Sequence, residues 1–178
     1  MEESQDTCLK PAGIKNTVRS VEVMMPQTDA ERFTVGVFKD LAAAEVGLAA
    51  LKRQGFAADA LSVIAREDAQ AGGLIENTVG TCATALALPG LGAVLAAGPL
   101  MAALEGEGHD LSHVGLATAM KRVGFQLHDG QVFQKLTERG GVLVAVRSES
   151  RAADALSTLH CYGGGNAAIG AWTGRLPL

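Results

Sequence analysis

A strand–helix–strand pattern that occurs twice predicts an α+β fold of the ferredoxin-like kind, two βαβ halves closing into a four-stranded sheet with two helices on one face. Three observations carry this. FTVGVF and LSVIARE are short β-rich runs flanking an amphipathic stretch. GGVLVAVRS, SRAADALSTLHCY and NAAIGAW repeat the same order toward the other end. Between the halves, where this topology normally needs only a hairpin, lies a long insertion at about residues 69–139, read as helical throughout and opening on an apolar αα-hairpin.

In chain order, residues 1–31 mix charged, polar, Gly and Pro residues without periodicity and read as a mobile tail, with Val21-Glu22-Val23 able to pair weakly at an edge. Residues 32–178 are expected to form a single domain. FTVGVF is the first strand, and Asp40 follows as an N-cap. Leu41, Ala44, Leu48 and Leu51 then fall on one helical face, Lys52 and Arg53 suit the C-terminal dipole, and Gly55 supplies the C′ residue. LSVIARE completes the first half, with a right-handed crossover.

The insertion contains ATALALPGLGAVLAAGPLMAAL, inside an uncharged run bounded by Glu76 and Glu105. Proline in a helix interior costs roughly 3 kcal/mol, so Pro89-Gly90 should break the run, turning a helical hairpin at residues 88–92. Two further helices are expected in HDLSHVGLATAMKRVGF and HDGQVFQKLTERGG. The latter should start near Asp129, turn Val132, Phe133 and Leu136 inward, and stop at Gly140. In the second half Ala152, Ala155, Leu156 and Leu159 form the buried helix face, Gly163-Gly164-Gly165 ends it, and NAAIGAW is the last strand.

The 178 residues are 48% hydrophobic and only 4% aromatic, a composition suited to close packing through small side chains. A net charge of −4 with no basic stripe argues against nucleic acid as a partner. Cys8, Cys82 and Cys161 are odd in number and widely spaced, which fits a reducing cytoplasm better than a disulfide framework. The acidic N-terminus lacks the apolar core of a secretory signal. Membrane association is not favoured: about twenty residues of continuous helix are needed to span a bilayer, and Pro89-Gly90 leaves arms shorter than that. The flanks also carry acidic residues where orienting Lys or Arg would be expected.

GLGAVLAAG has neither GxGxxG spacing nor a GK[ST] lysine, so no nucleotide and no other cofactor is expected. His109 and His113 are spaced i, i+4 and would share one face of a helix, the sharpest hint of a metal site, but HDLSH supplies no third ligand. Cys82 and Cys161 read as buried thiols, and His160-Cys161 are neighbours that point apart on a helix. No catalytic residue emerges. The apolar hairpin is instead expected to associate, through Leu86, Leu88, Leu91, Val94, Leu95, Leu100 and Leu104, with Pro89 and Gly90 making the bend. The expected cover is a second copy of the chain, with another protein as the alternative. A small regulatory ligand on an open sheet face or at the strand ends is a separate reading, resting on fold analogy.

VGVFKDLAAAEVGLAALKRQGF, LSVIARE, LPGLGAVLAAGPLMAAL and FQKLTERGGVLVAVRS together resemble the bacterial general stress proteins of the heat-induced type that carry a Gly/Ala-rich insert. The resemblance runs over residues 33–172, and Pro89-Gly90-Leu91-Gly92, Ala97-Gly98-Pro99 and Arg139-Gly140-Gly141 are its most distinctive points. It implies a small stress-associated protein with no assigned catalysis and no catalytic residues to carry over. His109, His113 and the long N-terminal segment depart from the family pattern.

Overall fold

The computed structural model describes residues 32–148 and 150–165 and the backbone of residues 172–173. The expected tail, and most of the NAAIGAW strand, lie outside the described residues. The fold is α+β. The first strand–helix–strand unit forms as read: β1 (Phe33–Phe38), α1 (Leu41–Arg53) and β2 (Leu61–Arg66). The Asp40 carboxylate accepts from the Ala43 N–H at 2.8 Å, satisfying one of the free amides of the first turn. At the other end Gly55 adopts φ +84°, which lets the Phe56 N–H reach back to the Leu51 carbonyl at 3.1 Å. Gly47 lies flat under the Phe38 ring, where a Cβ would collide with the aromatic carbons. The first helix therefore sits tightly on its own strand.

The second unit comprises β5 (Val142–Arg147), α6 (Ala152–Cys161) and the two-residue β6 (Trp172–Thr173). β5 runs antiparallel between β1 and β2, with Val35 opposite Ala145 and Val63 opposite Val144. β6 pairs with the far side of β1.

The residues between β2 and β5 depart from the helical expectation. α2 (Ala69–Val79) is capped by Asp68 and ends at Gly80, φ +75°. The apolar run that follows is not an αα-hairpin but a β-hairpin, β3 (Thr84–Leu88) and β4 (Gly92–Ala97). Pro89 and Gly90 do make the bend, but as a tight turn: the Leu91 N–H donates to the Leu88 carbonyl at 3.1 Å, with Gly90 at φ +83° and Gly92 at φ +76°. Two forces favour strands over helices here. Leu86, Leu88, Val94 and Ala96 alternate onto one face, as a two-residue period requires. The exposed side of β2 also needs a partner for its peptide groups, and β4 supplies it with Ala65 opposite Leu95.

Helices resume with α3 (Pro99–Glu105), whose first turn is held by the buried Ser62 hydroxyl on β2, accepting from the Leu100 N–H at 2.9 Å. α4 (Leu111–Ala119) is kinked at Gly115, φ +74°, so the expected continuous helix is shorter, ending in a 3₁₀ turn at Met120–Val123. α5 (Leu127–Glu138) begins slightly before the predicted Asp129, because Gln126 and Asp129 form a capping box that starts it. Phe133 is inward as predicted and meets Phe125 edge to face, ring centroids 5.4 Å apart.

Among the described residues the sheet has the order β3-β4-β2-β5-β1-β6. It is covered on both faces, not one. Phe38, Leu48, Leu51, Ile75, Val144 and Leu159 form a core beneath α1, α2 and α6. Phe33, Ile64, Leu100, Leu116, Phe133 and Leu143 form another beneath α3, α4 and α5.

Candidate functional site

The side chains expected to drive association are mostly interior to the chain. Leu88, Leu91, Val94, Leu100 and Leu104 are all at most 5% exposed and belong to the core under α3–α5. Leu86 is half-buried against that core, and Leu95, pointing the other way, packs against the opposite one. Once the segment pairs with β2, its apolar side chains face helices of the same molecule, so the buried Leu88, Leu91, Val94, Leu100 and Leu104 present no surface for association. Of the apolar side chains that the hairpin puts on that face, Leu86 alone stays partly open. Pro89 and Gly90 are exposed at the turn, where the Gln134 side-chain amide donates to the Pro89 carbonyl. The sheet face expected to be open to a small ligand is the one filled by α3–α5.

Among the described residues, what the hairpin leaves uncovered is its edge. The Glu67 N–H donates to the Ala93 carbonyl at 3.0 Å, so the peptide groups of Ala93, Leu95 and Ala97 face β2. Those of Gly92, Val94 and Ala96 therefore face β3, and through the register so do those of Leu88, Leu86 and Thr84 face β4. The N–H and C=O groups of Ala85 and Ala87 consequently point away from the sheet. Thr84, Ala85 and Ala87 are exposed. Edge strands are usually guarded by lysine, proline, a bulge or a covering segment. β3 contains no charge and no proline, and it pairs with β4 without a bulge. Beside it, between β3 and α3, lies a cavity of 330 Å³ whose lining includes Cys82, Thr84, Leu86 and Met101.

The histidine pair does not share a helix face. His109 sits in the turn before α4 with φ +44°, its Nδ1 3.2 Å from the Glu105 carboxylate, while His113 lies within α4 and is exposed. Asp110 is drawn elsewhere, to Arg122 at 2.7 Å. Among the described residues no group of three His, Cys, Asp or Glu side chains is placed to hold a metal ion. Arg122 escaped the sequence reading. It donates to the Leu104 and Glu105 carbonyls at 2.6 and 2.9 Å, tying the end of α3 to the 3₁₀ turn. Nothing local marks a basic residue at such a turn as a long-range cap. Cys82 and Cys161, read as buried, are both exposed, the first in the turn before β3 and the second at the end of α6. No described helix is long and apolar enough to cross a membrane.

Compared with known proteins, the chain matches no family model, no curated protein and no solved structure at a significant level.

Proposed function

We propose that this chain is a non-enzymatic, stress-associated cytoplasmic protein that acts by self-association, and that the exposed side of the β-hairpin is where association occurs. The observation that carries this is the β3 edge, which no other described strand pairs with and whose outward peptide groups lie in a stretch free of charge from residue 77 to residue 104. Unpaired main-chain donors and acceptors on a neutral strand favour the addition of another strand, and symmetric assembly is the commonest way for a protein to satisfy such an edge. The resemblance to heat-induced stress proteins supports the biological setting. The order β6-β1-β5-β2 supports a ferredoxin-like unit, with residues 69–139 as an insertion that both extends the sheet and roofs its second face. Binding of another protein at the same edge is the alternative.

Light scattering coupled to size exclusion, with and without detergent, tests the reading. The expected result is a defined multi-chain assembly in detergent-free buffer. A mass of one chain, 18.3 kDa, across a wide concentration range would remove it, and so would aggregation relieved only by detergent.

A further inference from the structure

We infer that two copies of the chain pair β3 to β3, antiparallel, about a two-fold axis through Leu86, joining their sheets into one; this rests on the self-association reading. The peptide groups free to pair are those of Ala85 and Ala87. In an antiparallel ladder, two residues that face each other with outward groups exchange both N–H···O bonds. A two-fold through Leu86 sets Ala85 opposite Ala87 of the second copy, and Ala87 opposite its Ala85. Both hydrogen-bonded pairs are then made, and Leu86 faces Leu86 as the intervening pair. Within Thr84–Leu88 this is the centre that uses the whole strand.

The occupant is a second copy because the edge complements itself. Ala85-Leu86-Ala87 reads identically in both directions, so the three central pairs across the axis are apolar against apolar, and the flanking pairs set the uncharged Thr84 opposite Leu88. No charge falls against its own image, the usual obstacle to pairing a strand with itself. A foreign strand would find no counter-charge to recognise between Glu76 and Glu105. Leu86 is also left half-buried at the lining of the cavity beside α3, so a second leucine beside it covers apolar surface that one chain leaves in water.

The test places a single cysteine at Leu86 in a chain whose Cys8, Cys82 and Cys161 are changed to Ser. Opposed side chains of such a pair bring Cβ atoms to about 4.5–5.5 Å, within disulfide reach. Under mild oxidation Leu86→Cys should cross-link to a dimer, and Ala87→Cys, which would face Ala85, should cross-link far less. In parallel, Ala87→Pro removes an outward N–H and leaves the ladder to β4 intact, so the light-scattering mass should fall to one chain with the circular dichroism unchanged. Should the proline variant misfold, Ala85→Lys asks the same question by setting a charge in the interface. If the unaltered protein assembles but the edge variants keep its mass and Leu86→Cys cross-links no better than Ala87→Cys, the pairing is wrong while self-association stands. If the unaltered protein is a monomer at all concentrations, the self-association reading fails first. A monomer in which the Ala85 and Ala87 amides are protected from hydrogen exchange would assign the edge to the same chain and overturn the proposal.

Discussion

At the residue scale, the buried leucines of the hairpin and of α3 are structural. Leu100 is fully buried and its backbone N–H is tied to Ser62, so it both fills the core and anchors the first turn of α3. Leu100→Ala should lower unfolding free energy by about 2–5 kcal/mol, as truncation of a large buried side chain does, measured by urea denaturation. Replacing Leu91, 5% exposed, by a carboxylate would likewise test folding and not association. Much at this scale was legible. Asp40 as a cap and Gly55 as a helix stop follow from local rules, and the structure bears out both. Ser62 holding Leu100 and Arg122 holding the end of α3 were not, because each joins residues far apart in the chain and local spacing contains no trace of the pairing.

At the scale of elements, the β-hairpin is where sequence and structure diverge. Alanine favours helix, and Pro89-Gly90 reads equally well as a break between helices or as a turn between strands. The deciding signal was the alternation of Leu86, Leu88, Val94 and Ala96, diluted by alanines on both faces, together with the vacant side of β2, which no single segment reveals. The flanking βαβ units were legible because β-branched runs and an amphipathic helix point to the same answer. The turn itself is sensitive. Gly90 has φ +83° and faces the Gln134 side-chain amide, so Gly90→Ala should cost about 1–2 kcal/mol and speed hydrogen exchange of the β3 and β4 amides more than those of β1 and β5.

At the scale of the whole molecule, β2 and β5 send alternate side chains into both cores: Val63 and Val144 toward α1, α2 and α6, and Ile64 and Leu143 toward α3, α4 and α5. Neither layer of helices can leave without exposing the sheet that supports the other. Unfolding should therefore be one cooperative step, with the same urea midpoint by far-ultraviolet circular dichroism and by exchange of α5 and α6 amides. Separate midpoints would mean that the residues between β2 and β5 come apart independently.

A sheet roofed on its two broad sides can meet another molecule through its backbone only sideways. When the meeting is a rotation by half a turn, each participant uses up the very margin it offers, so such an assembly is self-limiting: it closes as a pair where an unpaired strand would otherwise seed a growing fibre.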